Sequence, residues 1–240
     1  MRFHAVFCLM FILAMNPLGL RAEMSAKSYM EEGNRLMQEE KYDDAVAAFQ
    51  SAIQLAPKIP QIHNALGVAY LQMEGRFHDA LAAFESALKI DPKNADAYFN
   101  IGLAYQEYQL DPISAKEYFQ KAIDKNPRFI RAYYALGMIY LTEEQDPETA
   151  LKYFDSSLKL NPNFSPSYFG LGISNILLGR PEKALKPITM LRQLNQDHLA
   201  MTLEAMMRGE GLFVKEETAA SAEGENQAPT PPDGQDPVLF

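Results

Sequence analysis

The residues of this chain that could carry acid–base or metal chemistry are its histidines, its cysteine and its paired carboxylates. Metal sites and catalytic centres need such groups at spacings that bring them to one face, for example two histidines four residues apart on a helix. Neither a Gly-x-x-x-x-Gly-Lys phosphate loop nor a Gly-x-Ser-x-Gly nucleophile elbow occurs. The histidines are scattered, with none four residues from another: His4, His63, His78 and His198. The sequence therefore predicts no enzyme, with no catalytic residue, no cofactor and no metal ion.

The acidic residues form pairs only because they are adjacent in the sequence. Neighbouring residues on a helix point in different directions, so two adjacent carboxylates do not share a proton. We therefore interpret these pairs as solvated faces of helices. They are Glu31-Glu32, Glu39-Glu40, Asp43-Asp44 and Glu143-Glu144.

Five glycines recur at a nearly constant interval and reveal the elements that organise the chain. Their successive separations are 34, 35, 35 and 35 residues, and they are Gly33, Gly67, Gly102, Gly137 and Gly172. An internal repeat of this length is one supersecondary unit that cannot bury its own apolar face, so the copies stack into a solenoid. A glycine inside a helix costs about 1 kcal/mol relative to alanine. Its recurrence therefore predicts that a neighbouring helix comes too close for a Cβ atom.

Two helices are predicted in each unit. Residues four before and three after the glycine share one helix face, and an alanine followed four residues later by a phenylalanine or isoleucine marks a second helix. A proline closes each of the first four units. In two turns Asp111-Pro112 and Asp146-Pro147 supply an N-cap oxygen and a first helical residue. His63 stands where later units carry tyrosine, and we interpret it as a packing residue.

Two segments carry the whole pattern: AYFNIGLAYQEYQLDPISAKEYFQKAIDKNP and AYYALGMIYLTEEQDPETALKYFDSSLKLNP. They resemble tetratricopeptide repeats (TPRs), with that family's aromatic, Leu-Gly, Tyr, Ala, Phe, small and Pro positions. The resemblance covers residues 26–198 and implies an all-α fold, a TPR solenoid of about five helix-turn-helix repeats with a C-terminal capping helix. The fifth unit departs from the pattern, as a terminal repeat should, because Asn175, Leu191 and Gln196 replace the tyrosine, the small residue and the proline.

Further segments are predicted before and after the repeats. The N-terminus is typical of a secretory signal peptide, with Arg2, an apolar run and then Ala22. We expect a periplasmic or secreted protein with no membrane insertion after signal cleavage; an uncleaved anchor is the alternative. The predicted segments are the signal peptide (1–22), the five units (26–59, 60–94, 95–129, 130–164 and 165–198), the capping helix (199–209) and an acidic, proline-containing disordered tail (210–240).

Charge and cysteine usage narrow the choice of partner and compartment. The chain has 31 acidic and 22 basic residues, a net charge of −9. Loss of the signal peptide would remove Arg2 and Arg21 and bring the net charge to −11. No basic stripe is present to neutralise phosphates, so we expect no nucleic-acid partner. The only cysteine, Cys8, would leave with the signal peptide, which is compatible with an oxidising compartment.

Candidate binding residues follow from the resemblance and from the glycine spacing. In TPR solenoids the first helix of each unit lines a concave groove that holds a peptide or a helix. The positions six and three before each glycine, and one and four after it, share a helix face; we call them the groove positions. They become apolar and aromatic toward the C-terminal units, where a ligand's apolar anchors would bind. The residues selected are Asn34, Asn64, Phe99, Arg131, Tyr134, Met138, Phe169 and Ile173.

Two alternatives to an open groove remain. Residues directly after each glycine, including Met138 and Ile173, could pack against the neighbouring first helix, and the C-terminal helix could fold back into the apolar end. A carboxylate clamp of the cochaperone type is disfavoured. Asn34 matches the asparagine of that clamp, but Asp96 stands where the family has a lysine.

The sequence thus favours a non-catalytic protein–protein interaction adaptor or scaffold of the cell envelope, whose partner is another protein bound as a peptide or helix. The resemblance to exported TPR proteins implies roles in pilus, secretin or outer-membrane assembly without choosing among them. One alternative is a self-associating structural scaffold, and therefore a homo-oligomer. The other is an accessory subunit of an envelope enzyme or of a cytochrome-maturation complex.

Overall fold

The computed structural model describes residues 25–108 and 111–210, and the regular structure in these ranges is helical. The predicted signal peptide and, beyond its first residue, the predicted tail lie outside the described residues. The helices form consecutive pairs: α1 (Ala26–Gln38) with α2 (Tyr42–Leu55), α3 (Pro60–Leu71) with α4 (Phe77–Ile90), α5 (Ala95–Tyr108) with α6 (Pro112–Lys125), α7 (Ile130–Thr142) with α8 (Pro147–Leu160), and α9 (Ser165–Leu177) with α10 (Leu185–Gln193). A 3-10 turn (Pro181–Ala184) precedes α10. A last helix, α11, spans Asp197–Met207.

Helices that follow each other in the chain pack against each other, which gives the predicted stack of helix pairs. The first helices of neighbouring units also touch, α1 with α3, α3 with α5 and α7 with α9. This row of first helices carries the groove positions. The all-α solenoid expected from the repeat is therefore confirmed.

The second helices of units 3 and 4 begin where the sequence predicts. The carboxylate of Asp111 accepts a hydrogen bond from the backbone N–H of Ser114 (3.1 Å), and that of Asp146 accepts one from Thr149 (3.0 Å). A proline follows each aspartate as the first helical residue. Its missing N–H is one that the first helical turn would leave unpaired in any case.

The repeated glycines are sites of close helix contact, as expected. A Cβ atom on Gly102 would lie 2.6 Å from Cε1 of Phe119, which is fully buried on the second helix of the same unit. Real Cβ atoms essentially never approach another atom to less than 3.0 Å. The same overlap occurs in the other three leading units, between Gly33 and Phe49, Gly67 and Phe84, and Gly137 and Phe154.

His63 has the structural role of the tyrosines that replace it in other units. Its Nε2 lies 2.9 Å from the carbonyl oxygen of Pro57. In the fifth unit the hydroxyl of Tyr168 donates to the carbonyl of Pro162 at the same distance. Both side chains connect a first helix by a hydrogen bond to the proline that closes the preceding unit. The position of His63 therefore has a structural explanation.

The C-terminal helix covers the end of the fifth unit. It packs against both α9 and α10, and Ala200 and Leu203 on it are fully buried. It begins two residues before the predicted position 199, and Asp197 is its first residue without making a side-chain cap. Gly209, at a φ of 74°, ends it in the left-handed conformation that glycine adopts without strain.

Candidate peptide-binding groove

The groove positions chosen from the sequence lie on successive first helices, but they differ in exposure. Asn34 and Arg131 are exposed, whereas Phe99 is buried. The others are half-buried: Asn64, Tyr134, Met138, Phe169 and Ile173. The structure therefore brings the predicted residues to one row of helices without leaving all of them free to meet a ligand.

Phe99 lies in the core and not on the open surface. Its ring is 5 % exposed and packs against the rings of Phe119 (centroids 5.3 Å apart) and Phe129 (5.2 Å). The guanidinium of Arg131 lies over it, 5.0 Å from the ring centroid. The expectation of a ligand anchor at Phe99 needs correction, because Phe129, the N-cap residue of α7, and Arg131 on α7 cover the ring.

Arg131 is the charged residue at the centre of the groove. Besides Phe99 it covers the ring of Phe129, at 5.4 Å from its centroid, and its Nη2 lies 3.4 Å from a carboxylate oxygen of Asp96. Both charged side chains are more than half exposed, so the ion pair contributes little to stability. Since a carboxylate already neutralises Arg131, the site has no net positive charge to attract an acidic ligand.

The C-terminal part of the groove is apolar. Tyr134, Met138 and Ile173 pack around the cluster formed by Leu141, Ala150 and Phe154. Burial raises the pKa of the Tyr134 phenol above its ordinary value, so the side chain stays neutral. The packing alternative holds in part, because these side chains contact the core while remaining half-buried.

The last helix does not seal this apolar part. Phe169 and Ile173 pack against the cluster that contains Leu203 of α11, yet both stay half-buried. Met138, one unit earlier, also stays half-buried. Part of the surface of Met138, Phe169 and Ile173 therefore stays exposed.

A polar contact that sequence reasoning passed over joins the first helices of units 2 and 3. Nδ2 of Asn100 donates a hydrogen bond to Oδ1 of Asn64, at 3.1 Å. Asn64 was selected as a groove residue and Asn100 was not, because it lies two residues before its glycine. Two carboxamides at facing positions of adjacent units are the signal that could have found it.

No group of three or more His, Cys, Asp or Glu side chains among residues 25–108 and 111–210 is placed to hold a metal ion. Within the same ranges, no helix has the length and apolar character needed to cross a membrane.

Stacked helix pairs with an accessible row of first helices define an α-solenoid repeat protein. Family models of the TPR repeat match residues 33–73 and 74–108, and models of the tetratricopeptide repeat match 96–128 and 118–152. Together they span half of the sequence, and the chain belongs to the tetratricopeptide repeat family. Arrays of this family are protein–protein interaction scaffolds.

Solved structures share the fold at low sequence identity. MamA is 23 % identical with a TM-score of 0.55, covering 71 % of this chain and 92 % of its own. YrrB is 22 % identical with a TM-score of 0.54, and the match covers 76 % of this chain and 93 % of YrrB. A fragment of MamA from Desulfovibrio magneticus RS-1, from residue 41 to the end, is 22 % identical with a TM-score of 0.55. That match covers 71 % of this chain and 95 % of the fragment. A comparison with curated proteins finds no match.

Proposed function

We propose that this protein is a non-catalytic adaptor of the cell envelope that holds a segment of a partner protein in the groove. The observation that carries the proposal is the half-buried apolar row of units 4 and 5, formed by Tyr134, Met138, Phe169 and Ile173. Covering apolar surface contributes about 25 cal/mol per Å². A ligand with apolar anchors would therefore gain most of its binding energy there.

Two further observations support this function. YrrB, which shares the fold, is described as a TPR protein with an unusual peptide-binding site. His63, one of the histidines singled out in the sequence, has a structural explanation in its contact with the carbonyl oxygen of Pro57. An interaction role fits these observations better than an enzymatic one.

Export to the periplasm or beyond is the second part of the proposal. It rests on the signal-like sequence of residues 1–22 and on a chain that has no cysteine after Cys8. Pilus, secretin or outer-membrane assembly would be fitting settings. Expression in a bacterium followed by N-terminal sequencing tests the export: a mature chain that begins at Glu23 supports it, and a full-length chain in the cytoplasm contradicts it. A full-length chain in the membrane fraction would instead support the anchor.

The groove is tested by recovery of partners from envelope extracts. Met138→Glu places a charge in the apolar row and should abolish the recovery of a partner that the parent protein retains. Ile113→Glu is the matched control, because Ile113 is apolar, 67 % exposed and on the second helix of unit 3. Equal recovery by both variants would contradict groove binding, provided that Met138→Glu melts like the parent.

Self-association is a second candidate, favoured by exposed apolar side chains near the C-terminal end of the array. Leu177, Leu185 and Met201 are 60 %, 55 % and 62 % exposed. A second copy packed on them would form a scaffold. Sedimentation at rising concentration decides, since a chain that stays monomeric excludes this candidate.

A further inference from the structure

The turns between helices form two edges of the solenoid, one at each end of its helices. Consecutive helices that pack together through short turns run antiparallel, so their turns alternate between the two ends. The turns inside the units, which follow α1, α3, α5, α7 and α9, form one edge together with the helix residues beside them; we call it the intra-unit edge. The turns that follow α2, α4, α6 and α8 form the other, the inter-unit edge.

The two edges present opposite charges at the spacing of the repeat. On the inter-unit edge Lys93 and Arg128 follow the prolines that close units 2 and 3, and both are exposed. On the intra-unit edge Glu107 and Glu143 are exposed in units 3 and 4. Among residues 25–108 and 111–210, the ion pairs involve none of these four side chains.

Helix electrostatics does not account for these four charges. A helix macrodipole disfavours a carboxylate at the carboxyl end, and Glu107 lies in the last turn of α5 while Glu143 is the C-cap residue of α7. Lys93 and Arg128 lie between the carboxyl end of one helix and the amino end of the next, whose opposite partial charges offset each other. A role in binding therefore explains the charges better than a role in stability.

Exposed apolar side chains complete both edges. On the inter-unit edge Leu55 and Ile59, at the junction of units 1 and 2, are 57 % and 39 % exposed. On the intra-unit edge Leu177 and Leu185, in unit 5, are 60 % and 55 % exposed. Toward the C-terminus, the inter-unit edge thus presents an apolar pair and then the two cations, at intervals of one unit. Toward the N-terminus, the intra-unit edge presents an apolar pair and then the two carboxylates, at the same intervals.

We propose that the inter-unit edge of one copy of this protein binds the intra-unit edge of a second copy that runs in the opposite direction. The two apolar pairs then meet, Lys93 meets Glu143, and Arg128 meets Glu107. Exposed ion pairs contribute little affinity, so the apolar pairs supply the attraction and the charges fix the orientation. Because the joined edges differ, each copy keeps one edge free and association continues as an open chain.

A second copy fits the inter-unit edge better than an anionic membrane or a nucleic acid does. The chain has a net charge of −9, which repels an extended polyanion from most of its surface. A second copy instead offers carboxylates at the interval that matches the cations, because both edges share one repeat length. The inference rests on self-association, the second candidate function, and assigns the surfaces that would carry it.

The test measures association of the full chain by sedimentation at rising concentration. Lys93→Glu/Arg128→Glu reverses the cations of one edge, and Glu107→Lys/Glu143→Lys reverses the carboxylates of the other. Each variant alone should associate about tenfold more weakly than the parent, a change of about 1.4 kcal/mol, because like charges then face each other. An equimolar mixture of both should associate again, since the unchanged acidic edge of one variant meets the unchanged basic edge of the other. In 1 M NaCl, where the Debye length is about 3 Å, these differences should shrink.

The controls reverse exposed charges inside the second helices, away from both edges. Lys121→Glu/Lys152→Glu and Glu85→Lys/Asp155→Lys change the net charge by the same amounts as the two edge variants. They measure the effect of net charge on association, and the edge variants should lose clearly more. All four proteins should melt like the parent in circular dichroism, because the altered side chains are exposed.

Single reversals test the antiparallel pairing. Lys93→Glu mixed with Glu143→Lys should form assemblies of more than two copies, because the two altered edges also carry matching charges. Lys93→Glu mixed with Glu107→Lys should stop at pairs, because the altered edges then bring like charges together. Assemblies of equal size in the two mixtures would overturn this pairing.

The outcomes separate the edge contact from self-association itself. A parent protein that stays monomeric at every concentration excludes both. A parent that associates while the edge variants match their controls leaves self-association standing and overturns the edge contact. Parent protein that sediments with phosphatidylglycerol vesicles and not with itself, and loses the vesicles in Lys93→Glu/Arg128→Glu, would assign the edge to an anionic membrane and overturn a second copy as its partner.

Discussion

Leu203 of α11 lies against Gly172 of α9, in the space that a phenylalanine of the unit's own second helix fills in each of the first four units. The second helix of the fifth unit, α10, has only nine residues and follows a 3-10 turn, and it carries Ile188 at the phenylalanine position. The contact of glycine with a large side chain is therefore kept, but its partner comes from the following helix. The last unit of the solenoid is complete only with three helices.

Leu203→Ala should destabilise the C-terminal end of the array. Leu203 is fully buried, and truncating a buried leucine to alanine typically costs about 2–5 kcal/mol. Since each unit contacts only its neighbours, amide hydrogen exchange should accelerate in α9, α10 and α11 more than in α1 to α4. Met201→Ala is the control on the same helix, because Met201 is 62 % exposed. Equal acceleration along the whole chain would contradict this account.

Gly102→Ala should destabilise the protein although alanine is the better helix former. The helix gains about 1 kcal/mol from the substitution. The added Cβ would lie 2.6 Å from the ring of Phe119, and overpacking of this kind typically costs about 1–3 kcal/mol. We expect a net loss in urea unfolding, and a larger one for Gly102→Leu.

The companion variant Gly102→Ala/Phe119→Leu separates the gain in helix propensity from the cost of overpacking. A smaller side chain at position 119 makes room for the Cβ, so the glycine substitution should cost less in that background than in the parent. A parent-like or higher melting temperature for Gly102→Leu alone would disprove the close-packing explanation of the repeated glycines.

The paired helices and the glycine contacts of the first four units could be predicted because they depend on residues that recur from one unit to the next. A glycine in the first helix and a phenylalanine in the second specify one contact between them, and the repeat length keeps the two in register. The N-caps at Asp111 and Asp146 are equally local, since each needs only a proline after it and a helix to begin. Contacts that are local and repeated can therefore be predicted from a single sequence.

Features created by unlike units could not be predicted in the same way. Phe99 occupies a groove position by its spacing, but its burial depends on Phe129, the N-cap residue of α7, and on Arg131 of α7. The contact of Leu203 with Gly172 replaces a repeat contact by one from outside the repeat. Predicting either feature requires the relative placement of neighbouring units, and the spacing of residues within one unit does not determine that placement.

Stability in acid should depend on the N-cap Asp111. The hydroxyl of Ser114 (2.6 Å) and then its backbone N–H (3.1 Å) donate to this carboxylate and lower its pKa from the ordinary value. Because the folded-state pKa is lowered, the cap stabilises the protein at pH values above the pKa of this aspartate in the unfolded chain, about 3.9. This stabilisation is lost as the pH falls through the lower folded-state value.

Asp111→Asn keeps an acceptor for the N–H of Ser114 but cannot titrate. Its free energy of unfolding should therefore fall less than that of the parent between about pH 5 and about pH 2. Ser114→Ala removes the hydroxyl donor and keeps the backbone bond, so its pH dependence should lie between the two. Urea unfolding at a series of pH values measures all three proteins. Identical curves for parent and Asp111→Asn would show that this cap does not couple stability to pH.

The junction between units 4 and 5 should show strong coupling between two serines. The hydroxyl oxygens of Ser157 and Ser167 lie 2.7 Å apart and both residues are fully buried, whereas the preceding junction has Ala122 and Ala132 at the equivalent positions. Replacing one serine by alanine leaves the other hydroxyl buried without its partner, which costs about 1–3 kcal/mol. The double variant reproduces the alanine pair that this chain already uses, so its unfolding free energy should return close to the parent value. A double-mutant cycle measures the coupling; strictly additive losses would show that the two hydroxyls act independently and that the bond between them is not what fixes this junction.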